Sequence, residues 1–572
     1  MERRINARSH ASVTYDPDPH YPVVGGQVQT GYDALAADAA VRRPGVLAVD
    51  GPAVLPWERL GAALGEALLT AGIRTRLVDV RRSFAPWDEI QRRTASAELP
   101  GDPVFARAFE GSLADLFDQV PSVEPANEGV TLAVGPGSAL VRHDVLWYAD
   151  LPKRLALDAV QQGRAGNVGQ PSGEAGSEQR LLFVDWPMLD RHKQEHAARV
   201  DRYIDLSDPD VPRSLAGDAL RSSLAALARR PFRTRPTFLP GPWGGQWLRR
   251  VLGVTTDAPN LAWSYELITP ESGLLLGESE PAEVGFELMM AGHAEEVLGP
   301  AVAERFGQSF PIRFDYLDTL DGGHLSIQCH PSEAYMQETF GLPYTQHETY
   351  YVMLTTPGAQ IFLGLREDAD LESFRAEAEL AEEPGEAFEP ERYLQTHAAE
   401  QHRLYLIPAG TPHASGAGNV VLEISATPYL YTLRFYDWLR RDLDGGLRPV
   451  HLRHAFANLE ARRRGESVRE LMPEPSVVRS GAGWSELALG RPPELFFAVH
   501  RLDFEDEIGD DTAGRFHALN LAAGEELEVR TGAGVVHPLS YAETIVIPAA
   551  VGEYRLRRVR GGPCKVVKAF VR

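Results

Sequence analysis

The sequence predicts a multidomain chain, with an N-terminal α/β domain followed by all-β jelly-roll barrels, the first of which carries a helical insertion. Three observations predict it. The chain has 572 residues, too many for one hydrophobic core. Up to about residue 232, apolar strand-like runs alternate with Ala/Leu-rich helical stretches, the pattern of a parallel sheet. From Arg233 onward, short β-rich runs separated by Gly/Pro turns dominate instead, as expected of a barrel or jelly roll.

In the first region (1–232), GVLAVDG (45–51) reads as a strand, ERLGAALGEALLTAG as the helix after it, and TRLVDV (75–80) as the next strand. LLFVDWP (181–187) reads as a third strand, and the Gly-, Ser- and Gln-rich stretch at 161–179 as a flexible loop. The second region (233–470) contains HLSIQCH, TYYVML, AQIFLGL, RLYLIP and NVVLEIS. An acidic, helical-looking insertion at 367–395 interrupts them. In the third region (471–572), strands recur in LFFAVHRLDF, FHALNLAAGEELEVR, ETIVIPA and YRLRRV, suggesting a second, smaller barrel. The stretch 451–472 reads as a helix linking the two.

Composition narrows the function. A net charge of −23 repels nucleic acid and anionic membrane surfaces, so neither is expected as a partner. Cys329 and Cys564 are the only cysteines; they cannot make a disulfide framework, and a reducing cytoplasm fits best. The N-terminus lacks the apolar core of a signal peptide, and no run approaches a membrane span.

HLSIQCHP carries the most chemistry. Side chains alternate faces along a strand, so Ser326, Gln328 and His330 point one way while Ile327 and Cys329 point the other. Gln328 and His330 thus offer one oxygen and one nitrogen to the same point. QHETYYVML opens another strand with His347 and Glu348, and IPAGTPHASG places His413 just after a Pro/Gly turn that can return an imidazole to a barrel interior. Two His, one carboxylate and one amide oxygen suit a divalent ion with an open position. Cys329 faces away and is not expected to be a ligand.

These residues resemble type I mannose-6-phosphate isomerase, a zinc enzyme of the cupin class. Gln328, His330, Glu348 and His413 fall on that family's four metal-ligand positions, which implies one Zn²⁺ per chain. The resemblance extends to PWGGQWL (242–248), FPIRFDYLDT (310–319) and EISATPYLYTLRFYDWLR (423–440), and covers roughly residues 233–572, more weakly after 470. It implies interconversion of mannose 6-phosphate and fructose 6-phosphate through a cis-enediol, with Arg434 stabilising the enediolate. Proton transfer falls to a metal-bound water, a nearby carboxylate, or a His such as His347. Ser326 and Arg440 are expected at the substrate, a small-molecule sugar phosphate. Two departures bear on that substrate. The family's Lys two residues before the Glu ligand is absent from Thr345-Gln346-His347-Glu348, and Arg313 and Asp315 stand near the place of a second Lys.

VLAVDGPAVLPWERLGAAL resembles the first strand, loop and helix of a P-loop kinase of the uridine kinase or phosphoribulokinase type. Pro56, Trp57 and Glu58 stand where Gly, Lys and Ser/Thr would complete the phosphate cradle. The first region is therefore expected to be a degenerate, P-loop-like domain, structural or regulatory, with Asp185 the remnant of a second magnesium-binding segment. His500, His517 and His537 lack companions at ligand spacing, so the last barrel is expected to bind no metal. Its basic end, RRVRGGPCKVVKAFVR, is expected to contact the acidic body. The alternatives to a mannose-6-phosphate isomerase are an isomerase of a different sugar and a non-catalytic sugar-binding regulator.

Overall fold

The computed structural model describes residues 15–383, 385–441 and 445–572. Val46–Asp50 is buried at every position, as a central parallel strand covered on both faces must be. It lies between Val130–Val134 and Val145–Asp150, with Thr75–Asp79 and Arg202–Asp205 outside them, all five parallel. Arg213–Ala216 and Gln29–Thr30 complete seven strands in antiparallel pairing at one edge. The helix Trp57–Thr70 buries Leu60, Leu64 and Leu68, spaced four apart on one face. Each contributes about 1.5–3 kcal/mol of burial.

LLFVDWP is not the strand its apolar run predicts. A π-helical turn spans Leu181–Asp185 and an α-helix follows over Trp186–His196. The Ser177 hydroxyl caps the helical start; Pro187 has no N–H to give the preceding turn, and the Phe183 carbonyl accepts the Phe109 amide at 2.8 Å instead. A short buried apolar run fits a buried helix as well as a strand, and periodicity alone does not separate the two. The Gly/Ser-rich stretch before it has no regular structure between Gln161 and Glu178. It is nevertheless tied down, because Asn167 Nδ2 donates to Asp185 at 2.9 Å.

The loop after the central strand is closed by its own chain. The fully buried Trp57 donates its indole N–H to Pro52 O at 3.0 Å, and Glu58 pairs with Arg81 at 2.6 Å. The buried Asp50 carboxylate accepts the amides of Gly51, Gly137 and Ala139 and faces His192 Nε2 at 2.9 Å. Ligands of open α/β sheets bind outside the carboxyl ends of the strands; here a phosphate would meet the Asp50 carboxylate. Adding Mg-ATP is therefore expected to leave the melting temperature unchanged in a thermal shift measurement, since only a bound ligand stabilises.

Two antiparallel sheets form the first barrel. One runs Leu404–Ile407, Glu348–Thr355, Asn419–Ala426, Ile312–Asp318, Trp263–Leu267 and Thr237–Leu239; the other runs Leu394–Ala398, Gln360–Leu365, His413–Ser415, Ile327–Cys329 and Leu433–Tyr436. Of the acidic insertion only Leu371–Glu382 is α-helical, capped by the Asp370 carboxylate; Leu394–Ala398 is a strand of the barrel. Likewise the expected linking helix is reduced to Leu452–Asn458 and a 3-10 stretch over Gly465–Leu471.

A six-stranded and a four-stranded sheet after Ser476 enclose a core that includes Leu502, Leu519, Ile545 and Val566. This unit packs on the first barrel through Phe310 against Phe516, with ring centres 4.4 Å apart, and through the Tyr316 hydroxyl, which donates to Asn520 at 3.0 Å. The basic end is neutralised locally. Lys568 pairs with Glu486 and Asp510, and Lys565 with Asp503, all on this sheet system rather than on the preceding barrel. Cys329 and Cys564 are both buried and free. Among the described residues no helix is long and apolar enough to cross a membrane.

Charge also crosses between the α/β region and the barrel region. Lys193 donates to Asp150 at 2.6 Å and to Glu287 at 2.8 Å. Burial would push the Lys193 ammonium down, but those two carboxylates hold its pKa well above the usual lysine value. Burial would raise Glu287, yet Lys193 and Lys153 hold it below the usual carboxylate range. Asp150, by contrast, stays raised by burial despite Lys193.

Candidate metal centre

The strand Ile327–Cys329 pairs with His413–Ser415 so that Gln328 lies opposite His413. Glu348 begins the strand Glu348–Thr355 on the other sheet. The sequence alternation holds: Cys329 Sγ points to Ala455 O, away from the site, while His330, Glu348 and His413 converge, with ligand atoms within 4.8 Å of one another. All three are essentially inaccessible.

The donor set fits a cation. His413 Nδ1 lies 2.8 Å from Thr411 O and His330 Nδ1 lies 3.4 Å from Tyr431 O. A carbonyl can only accept, so both imidazoles carry their proton on Nδ1 and turn an Nε2 lone pair inward, the usual arrangement of metal-binding histidines. Those lone pairs face Glu348 Oε2 at 2.5 and 3.0 Å, and Glu348 Oε1 is buried with no partner. Three acceptors this close require a positive charge among them. The Gln328 amide lies 3.4 Å from His413 Nε2, and Ser326 Oγ donates to Gln328 Oε1 at 2.8 Å. Turning that amide would bring its oxygen to the same point.

Beside the cluster lies a cavity of about 270 Å³. Ser326, Gln328 and Arg434 line it, together with Arg313, Asp315, Gln346, Glu423, Arg448 and His451. His347 does not: its Nδ1 accepts the Ala409 amide at 3.1 Å and its Nε2 faces Glu333. Burial pushes it down to about 4. Arg440 does not line the cavity either; it pairs with Asp437 at 2.9 Å and reaches the His324 carbonyl. The neighbouring Arg448, paired with the other Asp437 oxygen at 2.5 Å, takes its place.

Asp315 is the residue that sequence reasoning named without giving it a role. Strand alternation puts Arg313, Asp315 and Leu317 on one face, and all three line the cavity. Asp315 Oδ1 is buried without a hydrogen-bond partner. Burial pushes its carboxyl up to about 7, opposed by Arg313 and reinforced by Glu348. Arg313 itself is engaged by Glu423 and by Ser425 Oγ. With its amide oriented to satisfy both ends, Gln346 accepts from Arg313 Nη2 at 2.8 Å and donates to Pro428 O.

A second cluster, His192, Glu195 and His196, sits on the helix Trp186–His196. Arg199 Nη2 donates to His196 Nδ1 at 2.7 Å, which leaves the proton on Nε2 and no free lone pair on that ring. This cluster is the poorer cation site.

Comparison with known proteins divides the chain in two. The family described as Domain of unknown function (DUF8485) matches residues 31–229. Mannose-6-phosphate isomerase ManA of Bacillus subtilis is 22% identical over 331 residues, covering 58% of this chain and 96% of the relative. Mannose-6-phosphate isomerase of Streptococcus mutans is 26% identical over 219 residues, covering 37% of this chain and 63% of the relative. Among solved structures, the mannose 6-phosphate isomerase of Bacillus subtilis aligns at 20% identity with a TM-score of 0.49, covering 59% of this chain and 99% of that one. A putative mannosephosphate isomerase of Archaeoglobus fulgidus aligns at 18% identity and a TM-score of 0.47, over 60% of this chain and 98% of that one. About three fifths of the chain is thus similar to mannose-6-phosphate isomerases. Nearly all of the first relative is used in its alignment, so the remainder of this chain has no counterpart in it.

Proposed function

We propose that this chain is a metal-dependent aldose–ketose isomerase of a sugar phosphate, interconverting mannose 6-phosphate and fructose 6-phosphate. The observation that carries the reading is the meeting of three lone-pair-bearing atoms, from His330, Glu348 and His413, behind Gln328, which lines the neighbouring cavity. Sequence similarity to mannose-6-phosphate isomerases supports the substrate class.

The reaction moves a proton between C1 and C2 while two oxygens exchange carbonyl and hydroxyl character. A divalent ion, zinc by the donor set, held by Gln328, His330, Glu348 and His413 would supply Lewis-acid stabilisation of those oxygens. Asp315, on the cavity wall with an Oδ1 that makes no hydrogen bond and lies 3.6 Å from Arg313 Nε, removes the carbon-bound proton and returns it to the neighbouring carbon. The Arg434 guanidinium stabilises the enediolate charge. With the Gln328 amide turned, the Ser326 hydroxyl, now bonded to its oxygen, would accept from its nitrogen and hold the oxygen toward the ion, and Arg448 gives the cavity a cationic face for the substrate's anionic end.

Two outcomes follow for Asp315. Asp315→Asn is expected to lower kcat by about 10²–10⁴-fold with metal content unchanged. A carboxylate base works only when ionised, so wild-type kcat/KM falls as pH drops through about 7, and the variant lacks that limb. A pH–rate profile of both proteins checks this.

The direct test is a coupled assay for fructose 6-phosphate formed from mannose 6-phosphate, with and without chelator. Turnover abolished by chelation and restored by zinc is the expected result; no turnover by metal-loaded protein would sink the reading. A second reading, an isomerase of a different sugar, is favoured by one observation. No described lysine lines the cavity, and two of its arginines, Arg313 and Arg448, are already paired with carboxylates.

A further inference from the structure

The α/β region contributes a wall to the cavity. Between the helix Trp87–Arg93 and the 3-10 turn Leu113–Leu116, the chain has no regular structure and leaves its own sheet to lie against the barrel. The contact is built from specific bonds. Arg107 Nη1 donates to the carbonyls of Gln337 and Glu338, at 3.2 and 2.7 Å, and the Ala108 amide donates to Phe340 O at 3.0 Å. Asp102 Oδ2 lies 2.7 Å from His454 Nε2. The other Asp102 oxygen accepts the amides of Val104 and Phe105, at 3.0 and 2.7 Å, a turn that sets the direction of the Phe105 ring. Gln179 donates to the carbonyls of Asp102 and Phe105 and holds the segment from behind.

Phe105 is 2% exposed. Its ring meets His451 edge-on at 4.8 Å, His454 at 5.3 Å and Phe340 at 5.4 Å, and stacks on Tyr431 at 6.3 Å. Val104 and Phe105 line the same cavity as Gln328, Asp315 and Arg434. In a site confined to the barrel this wall would be missing; in this chain an aromatic ring from another part of the sequence supplies it. His451, which the ring abuts, accepts the Arg434 amide through Nδ1 at 3.2 Å. The wall therefore packs on the residue that bonds the Arg434 backbone, and Arg434 lines the same cavity.

We propose that Val104 and Phe105 are specificity-determining residues, a fixed wall by which the α/β region limits the length of sugar phosphate that the cavity accepts. The inference rests on the reading of the cavity as a sugar site. Truncating Phe105 to alanine removes a ring's volume from that wall, so longer substrates gain and the native one does not.

The test uses the full chain carrying Phe105→Ala, and Phe105→Leu as the variant that keeps the docking surface apolar. Relative kcat/KM is measured for ribose 5-phosphate, mannose 6-phosphate and sedoheptulose 7-phosphate. Binding of the unreactive sorbitol 6-phosphate and of a seven-carbon alditol 7-phosphate is followed by the fluorescence of Trp243 and Trp263, which line the cavity. The seven-carbon to six-carbon ratio is expected to rise about tenfold or more in Phe105→Ala and by less in Phe105→Leu, with metal content as in the parent. Unchanged ratios in both variants overturn the proposal. If the parent binds the polyol phosphates with a size preference that Phe105→Ala relaxes, yet turns over no sugar, the isomerase reading falls and the wall stands. If the parent binds none of them, the wall falls as well.

Discussion

His413→Ala is expected to leave the protein folded but without bound metal, and to lower kcat by about 10²–10³-fold or more. The residue is fully buried with its Nδ1 held by Thr411 O, so its only free lone pair faces Glu348. Alanine removes one of the two imidazoles that would hold the ion. Loss of a preorganised group that stabilises developing negative charge costs on this scale, and here the ion that such a group would hold is lost too. His330→Ala should behave alike, because its Nε2 approaches the same Glu348 oxygen from the other strand. His347→Ala is the informative contrast. It is next in sequence to Glu348 but bonds the Ala409 amide outside the cavity, so metal content should stay at the parent level. Metal analysis after dialysis, with the isomerase assay on the same samples, checks all three.

The largest effect on stability is expected at Lys193. Its ammonium is buried between Asp150 of the α/β sheet and Glu287 of the barrel region. Lys193→Met would keep most of the volume but leave two carboxylates buried near one another with their cation gone. Breaking a buried ion pair from one side costs about 3–5 kcal/mol, because the remaining charge is uncompensated. Lys153 and Tyr203, which bond nearby carboxylates, do not replace that charge. Urea unfolding of parent and variant should show a lower midpoint for the variant, with the α/β and barrel signals separating as their junction weakens. Coincident, unshifted transitions would show that the junction does not depend on this lysine.

Much of the site was readable from one rule. Alternation along HLSIQCHP separates Gln328 and His330 from Cys329, and the structure keeps that division. The same rule, applied to His347 and Glu348, puts the two on opposite faces, so one of them must leave the cavity. It also puts Arg313 and Asp315 on one face, which marks Asp315 as a cavity residue. The resemblance, rather than spacing, brought Glu348 and His413 together, since strands far apart in sequence meet only through the sheet topology. Arg440 lies off the cavity lining, where the turn after Tyr436 carries Trp438 and Leu439 in left-handed backbone, which no residue type there announces.

In the α/β region, the strand–helix–strand start was legible from its apolar runs and helix spacing. LLFVDWP was not, because a fully buried helix and a fully buried strand present the same unbroken apolar run. The wall formed by Val104 and Phe105 left no local signal. Its segment has neither periodicity nor a motif, and its partners lie more than 200 residues away, at Gln337, Phe340, His451 and His454.

One divalent ion is expected among Gln328, His330, Glu348 and His413. An anomalous difference map from crystals of zinc-loaded protein, collected on either side of the zinc edge, tests it most directly. The expected result is a single peak about 2.0–2.2 Å from both Nε2 atoms and a Glu348 oxygen, with the Gln328 amide oxygen completing the set. A peak at His192, Glu195 and His196 instead, or none in zinc-loaded crystals, would contradict the account.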